Sequence, residues 1–476
     1  MTFQRSPLEG VRRIHMIGIG GAGMSALARL YLQQGVTVSG SDSAASTALD
    51  ELIHLGAHAY AGSQPARLTG ADLAVYSSAV PATDPELREA ERLGIRALKH
   101  ARALGELFNT RRGIAVAGTH GKTTTSSIAA FILTRCGLSP TFQIGGEVLD
   151  LGTSAQWGTG EWMVIEADEF DRRFLEYEPE IAVINNMEPD HFEYFGDYET
   201  MRGAFVDFLR RVRPGGTVIA WGEDERLAGL LAEVNPPRVI RFGFDADGTS
   251  DWDLRGSEVQ LAAGGSSFTV SMANGVRAHA QVAIPGIHNA RNVLAALAAV
   301  TTTGVPLADA VDALAGFNGA RRRLQLLADA GGIRVFDDYA HHPTAVSLMI
   351  EALRRQVPSG GRLWAVFQPH LRTRTEELFD DFSGAFGGAD TVLLTDVYSP
   401  AGREPEGSYR GTSELINAMG HPNARHVPAL DDVRTLLRAE LRSGDVVLMM
   451  GAGSIERLIP LVAQDVKERA VTGHAG

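Results

Sequence analysis

The sequence predicts an α/β protein of three domains: Rossmann-like at the N-terminus, P-loop-type in the middle and Rossmann-like again at the C-terminus. Three observations carry this. At 476 residues the chain exceeds the size at which a single core stops growing, so two to four domains are expected. Two glycine turns, at residues 18–23 and 118–121, each join an apolar strand to a helical stretch. After residue 317, apolar strands again alternate with helical stretches, the mark of a parallel α/β unit. The expected domains are residues 1–108, 109–316 and 317–476.

In the first segment, Arg13 to Ile17 is a short apolar strand and Gly18-Ile-Gly20-Gly21-Ala-Gly23-Met24-Ser25 is the turn. A helical run then passes through Leu27, Leu30 and Tyr31 to Gly35, and a second strand, Val36 to Ser39, leads to Asp42. Strand, G-x-G-x-x-G, helix, strand and acid make a dinucleotide-type βαβ unit: backbone N–H groups cradle a diphosphate and the carboxylate meets ribose hydroxyls. NAD is the obvious ligand, yet any diphosphate bearing a ribose fits, and nothing nearby supplies a hydride-transfer site. A further strand within residues 71–80 runs into Ser77 and Ser78, at the carboxyl end where ligands sit in such sheets; loop capping explains these serines equally well.

The middle segment opens on the strand Ile114 to Ala117, the turn Gly118-Thr119-His120-Gly121-Lys122-Thr123-Thr124, and a helix read from Ser126 to Cys136 with Ile128, Phe131 and Ile132 at helical spacing. A helix N-terminus behind flexible glycines is an anion cradle. Lys122 would reach the terminal phosphates of a nucleoside triphosphate, and the Thr123 or Thr124 hydroxyl would ligate its magnesium. The chain has only three lysines, Lys99, Lys122 and Lys467, which makes chance a poor explanation for one behind Gly121. Two residues separate Gly118 from Gly121 instead of the usual four, so the turn is a shortened relative of the P-loop.

Downstream, the strand Trp162 to Ile165 ends in Glu166-Ala-Asp168-Glu169-Phe170-Asp171. Clustered carboxylates are costly unless solvated or paired with cations, and a magnesium ion opposite Thr123 would relieve that cost. The strand from Ile181 to Asn186 ends in Met187-Glu188-Pro189-Asp190-His191, which sends Asp190 and His191, a candidate metal ligand, to the same crevice. Arg210, Arg211 and Arg213 read as charges closing the next helix. Ile284-Pro-Gly286-Ile-His288-Asn289-Ala-Arg291-Asn292 opens an Ala/Leu-rich helix whose first amides suit a base edge, a phosphate or a cap.

The last segment begins with Gly319-Ala-Arg321-Arg322-Arg323-Leu324. Strands at residues 333–336, 363–367 and 391–394 end in Asp337-Asp338-Tyr339-Ala-His341-His342-Pro343, in Gln368-Pro-His370-Leu371-Arg372-Thr-Arg374, and in Thr395-Asp-Val-Tyr398. A last strand at residues 446–450 runs into Gly451-Ala-Gly453, and the tail after Arg469 is expected to fray.

Composition bounds the function. Apolar residues make up 44% of the chain, as in ordinary globular proteins, and a formal net charge of −13 argues against general nucleic-acid binding while leaving room for a local basic pocket. The single cysteine, Cys136, rules out an internal disulfide, sits where it would pack, and fits a reducing, cytoplasmic home. Met1 to Gly10 holds no long apolar run, so neither a signal peptide nor a membrane span is expected.

Taken in order, the turn at 18–25, Gly118-Thr-His-Gly-Lys-Thr-Thr124, Glu166-Ala-Asp-Glu169, Asp190-His191, Gly286-Ile-His-Asn289 with Asn292, Asp337-Asp-Tyr-Ala-His-His-Pro343 and Phe367-Gln-Pro-His370 resemble the Mur ligase family along nearly the whole chain. The resemblance implies an N-terminal UDP-sugar domain, a central ATPase domain and a mobile C-terminal domain. It recasts Gly18, Gly20, Gly21, Gly23, Met24, Ser25, Asp42, Ser77 and Ser78 as a UDP-sugar site. Gly118 to Thr124, Lys122 foremost, would hold the ATP phosphates, with Thr123 and Glu166 on magnesium (or manganese) and His191 on a second metal. Asn289 and Asn292 would meet adenine and Asp338 the ribose, Arg323 would reach across to the phosphates, and Tyr339, His341 and Arg374 are the candidates for the amino acid. Lys122, His191, Arg323 and His341 would carry the catalysis.

The implied reaction is ATP-driven amide formation on UDP-N-acetylmuramate in peptidoglycan synthesis, by a cytoplasmic monomer or dimer with no nucleic-acid or membrane partner. Gln368-Pro-His370 and Gly451-Ala-Gly453 are similar to family members that add L-alanine; Phe170 is nearer to members that re-attach the tripeptide L-Ala-γ-D-Glu-meso-diaminopimelate. Two other departures stand out. No lysine lies between Lys122 and Lys467, so the carbamylated lysine of some relatives is absent, and Leu371 stands where arginine is common.

Overall fold

The structure, a computed structural model, describes residues 10–245, 247–262, 264–399 and 407–472. Apart from Gly10, the N-terminal stretch expected to lack a leader lies outside the described residues. The chain is α/β throughout and builds three sheets. In the first, five parallel strands lie in the order His58–Ala61, Thr37–Asp42, Arg13–Ile17, Leu73–Tyr76 and Arg96–Lys99. The order reverses beside Arg13–Ile17, and a helix, Ala22–Gln33, follows it; such a switch point leaves a crevice above the carboxyl ends.

The second sheet has ten strands centred on Arg112–Ala117, which pairs in parallel with Trp162–Glu166 on one side and Ile181–Ile184 on the other. Ile114, Ala115, Val116 and Ala117 are wholly buried, as expected of a parallel strand covered on both faces. One cover is the helix Lys122–Arg135, packed on Ile287–Thr302. It begins four residues before the helix read from the sequence. Its first turn is Thr123, Thr124 and Thr125, which have no apolar period yet are buried. The far edge is an antiparallel meander, Leu254–Ala262, Gly265–Met272 and Arg277–Val282.

The third sheet runs Gln325–Ala330, Ile333–Asp338, Val446–Met450, Leu363–Phe367, Thr391–Leu394 and Ala424–His426, parallel except for its first pair. Two readings are corrected here. The last helix, Ile459–Thr472, continues past Arg469, whose guanidinium donates to the Leu441 carbonyl (2.7 Å), so fraying does not begin there; the rest of the tail expected to fray lies outside the described residues. Arg213 is not a free helix-end charge: it donates to the carbonyls of Arg111 (2.8 Å) and Asn109 (2.6 Å), tying the helix Tyr198–Leu209 to the start of the central strand. Among the described residues no helix is long and apolar enough to cross a membrane.

Candidate active site

The central crevice forms where Arg112–Ala117 ends. Gly118 has φ 124°, and a Cβ there would lie 2.8 Å from the Asn186 carbonyl; Gly121 has φ 79°, and a Cβ there would lie 2.3 Å from Asn292 Oδ1. Both glycines therefore answer to a backbone twist and a close neighbour. The turn is pinned to the end of the next strand: the His120 N–H donates to Asn186 Oδ1 (2.8 Å), and Thr119 Oγ1 donates to the Glu188 carbonyl (3.0 Å). The first N–H groups of the helix Lys122–Arg135 are left facing the crevice, as an anion site requires.

Lys122 curls back over the turn, donating to the Gly118 carbonyl (2.7 Å) and to both Glu169 oxygens (3.0 and 2.8 Å). Burial works against its charge, but Glu169, Asp168 and Glu166 outweigh burial and hold its pKa above the ordinary value. Thr123 Oγ1 donates to Glu166 Oε2 (2.8 Å), which also accepts from the Gly145 N–H (3.0 Å). Arg323, two hundred residues on, donates to the same Thr123 oxygen (2.7 Å). Thr124 is buried in the first turn.

His191 is grouped with Asp168 and Glu169, whose ligating atoms and its own lie within 4.8 Å of one another. Lys122 joins the two halves through Glu169. Oxygen donors at Thr123 and Glu166, with Asp168, Glu169 and His191 beside them, suit magnesium, which takes few protein ligands and keeps its phosphates and waters. The sequence alone leaves open which of Glu166, Asp168, Glu169 and Asp171 would hold the ion, and the resemblance points to Glu166; Asp168 and Glu169, in the same acidic run, are the ones grouped with His191.

The third unit meets this crevice at several points. Arg374 donates to Asp190 Oδ1 (3.2 and 3.3 Å), and both side chains are buried. His341 Nδ1 lies 2.9 Å from the Tyr339 carbonyl, its ring 6.2 Å from that of His370. Burial, then the Arg374 guanidinium, push the His341 pKa well below the usual imidazole range. Tyr339 carries the guanidinium groups of Arg322 (5.1 Å) and Arg323 (5.2 Å) over its ring. The Asp338 carboxylate is buried and accepts from the N–H groups of Leu324 and Ala340 (both 2.7 Å), and burial raises its pKa to about 6. Of the two amides, Asn289 lies inside the first turn and donates back to the Pro285 carbonyl (2.8 Å), the helix being capped by Gly286 without a side-chain bond, while Asn292 lies against Gly121.

The first glycine turn lies at the switch point of the five-stranded sheet, with several of its N–H groups partnered inside the chain. The N–H groups of Gly18 and Ile19 donate to the Ser41 carbonyl (2.8 and 3.0 Å), and Gly20 donates to Asp42 Oδ2 (2.8 Å). Gly21 caps the helix Ala22–Gln33, and the Gly23 carbonyl meets His100 (3.0 Å). Met24 turns into the core, and Ser25 Oγ donates back to the Ala22 carbonyl (3.1 Å). Ser77 Oγ accepts from the Ala79 N–H (3.3 Å), whereas Ser78 Oγ accepts from Arg173 (2.9 Å), a link to the central unit. Glu86, not singled out in the sequence, is fully buried beneath this turn and accepts from the Gln64 N–H (2.6 Å).

Three family models match in order: Mur ligase family, catalytic domain (residues 13–112), Mur ligase middle domain (116–300), and Mur ligase, glutamate ligase domain (322–453). The UDP-N-acetylmuramate--L-alanine ligase of Symbiobacterium thermophilum is 40% identical over 473 residues, covering 97% of this chain and 96% of that protein. Among solved structures, the chain is similar to UDP-N-acetylmuramate-alanine ligase from Thermotoga maritima (TM-score 0.79, 25% identity, 95% and 98% of the two chains). It is also similar to a murein peptide ligase from Psychrobacter arcticus (TM-score 0.72, 27% identity, 96% and 98%).

Proposed function

The chain belongs to the Mur ligase family, and from that premise we propose that it joins L-alanine to UDP-N-acetylmuramate, at the expense of ATP, in peptidoglycan synthesis in the cytoplasm. The observation that carries this reading is Thr123, whose hydroxyl is shared by Glu166 of the central unit and Arg323 of the third. The matched relatives are amide ligases, so the dehydrogenase reading of the first glycine turn is dropped in favour of a UDP-sugar site at residues 18–25, Asp42 and Ser77–Ser78.

In the reaction proposed, the lactyl carboxylate of the sugar attacks the γ-phosphate of ATP, the bond to the β,γ-bridging oxygen breaks, and ADP leaves. Residues 118–124 hold the phosphates by backbone N–H groups, and Lys122 exchanges Glu169 for phosphate oxygens. Arg323 adds a second cation from across the crevice, so charge that builds on the transferring group meets donors already in place. Magnesium held by Thr123 and Glu166, and a second ion near His191, would supply further charge neutralisation. The amine of alanine, whose carboxylate is assigned to Arg374, then attacks the carbonyl carbon of the acyl phosphate, and inorganic phosphate leaves as the amide forms. A carboxylate on Arg374 offsets the second of the causes that depress His341, burial being the first, and so raises the basicity of the imidazole proposed to take the amine's proton. Closure of the third unit, from hinges near residues 108 and 316, excludes water that would hydrolyse the intermediate.

The test is phosphate release with UDP-N-acetylmuramate and, in turn, L-Ala, Gly, L-Ser and the tripeptide L-Ala-γ-D-Glu-meso-diaminopimelate. L-Alanine should give the highest kcat/KM. Turnover with the tripeptide alone would move the protein to the recycling ligases.

A further inference from the structure

Outside the magnesium donors, one cluster joins two units through side chains that have no step in the reaction above. His120 of the phosphate turn lies with Nε2 3.1 Å from Glu188 Oε2, and its ring is 4.7 Å from that of His342 in the third unit. Thr344 Oγ1 donates to the same Glu188 oxygen (2.8 Å). A ligating atom from each of His120, Glu188 and His342 lies within 4.8 Å of the other two. His342 is only 5% exposed; Nε2 meets the Pro189 carbonyl (3.3 Å), and Nδ1, although buried, has no hydrogen-bond partner among the described residues.

Two imidazoles and one carboxylate are the donors of a zinc-class ion with an open fourth position, not of magnesium, which prefers oxygen throughout. We propose that His120, Glu188 and His342 form a second, separate site for a zinc-class divalent cation that cross-links the phosphate turn to the third unit. The orphan Nδ1 gains a use, and the Thr344 hydroxyl orients the carboxylate from behind, as outer partners of metal ligands do. Zinc there ties His120 to the third unit and so obstructs the exchange of nucleotide at residues 118–124. Binding stands on the cluster alone; the obstruction rests on the ATP-site reading given above.

The experiment uses full-length, metal-stripped protein and two probes, zinc in competition with a chromophoric chelator and cobalt(II) read by its visible d–d absorption. Wild type should bind one equivalent more zinc than His342→Gln, with a tetrahedral-type cobalt band that His342→Gln and Glu188→Gln lose and that His191→Gln keeps. Phosphate release at saturating magnesium should fall with zinc in wild type and not in His342→Gln, each measured against its own zinc-free rate. Equal stoichiometry and spectra in wild type and both folded variants overturn the site and leave the ligase reading untouched. Zinc bound through His342 without effect on phosphate release overturns the obstruction. Circular dichroism checks the fold of each variant, and Glu188→Gln decides the matter if His342→Gln fails to fold.

Discussion

At the scale of single residues, Lys122 carries the heaviest demand, because its ammonium must be charged yet lies in a crevice where charge is expensive. Glu169, only 1% exposed, is its counter-ion, and phosphate would displace it. Lys122→Ala should cut phosphate release by about a thousandfold or more, as loss of a preorganised charge does, while UDP-sugar binding to the first cradle is unchanged. The same change strands a buried carboxylate, so it should also cost about 3–5 kcal/mol of stability in urea unfolding. Lys122→Ala combined with Glu169→Gln should recover most of that stability and none of the turnover. Wild-type-like turnover in the single variant would refute the assignment of the turn. Lys122 was legible because a lysine behind a glycine turn has a mechanism attached to it. Glu169, its partner forty-seven residues later, was visible only as one acid among four, since spacing does not say which carboxylate faces the lysine.

At the scale of elements, the parallel strands were legible because burial on both faces demands unbroken apolar runs, and the chain writes them at Ile114, Trp162, Ile181, Leu363 and Val446. The meander at the edge of the central sheet was not. Leu254–Ala262 is buried only at Leu254 and Gly256 and then alternates half-buried with exposed positions, with polar residues such as Arg255, Glu258 and Gln260, a weak pattern beside the apolar runs. The helix Ile287–Thr302 was found from its alanines and leucines, but the state of its first turn needed the structure. His288 covers Gly286, and burial, then the Arg291 guanidinium, push its pKa down to about 4. Unfolded, the same ring titrates at about 6.5, so only the unfolded chain takes up this proton between those values. Stability from His288 is therefore complete above pH about 6.5 and is lost as the pH falls toward 4, by at most about 3 kcal/mol. Urea midpoints at pH 7.5 and pH 5 should converge in His288→Gln relative to wild type; an unchanged gap would show that this ring is protonated in the folded state.

At the scale of the whole molecule, the active site is an assembly of units; of the contacts that assemble it, the reach of Arg323 to the phosphate turn was expected through the family resemblance, and the others could not be read along the chain. The link from the central to the third unit is itself fastened: Arg321 N–H donates to the Glu147 carbonyl (2.8 Å), and Asn318 donates to Asp150 (2.8 and 2.6 Å). Beyond it, Arg322 and Leu324 sit at φ 58° and 49°, a bend that only surrounding contacts hold in non-glycine residues. Deepest in the junction is Asp190 with Arg374, 7% and 3% exposed. Burial pushes the Asp190 carboxyl up, and Arg374 more than reverses this, holding it well below the usual carboxylate range. A pair of this kind gains little over an apolar contact but is costly to halve, because the survivor stays buried and charged. Asp190→Ala and Arg374→Met should each cost about 3–5 kcal/mol, and the double variant much less than their sum. Because the pair bridges two units, the loss should appear first as separation: small-angle scattering should report a larger radius of gyration for each single variant and a return toward wild type for the double. Additive costs, or single variants as compact as wild type, would mean that the third unit is held by its other contacts and that Arg374 is free to meet a substrate carboxylate without releasing Asp190.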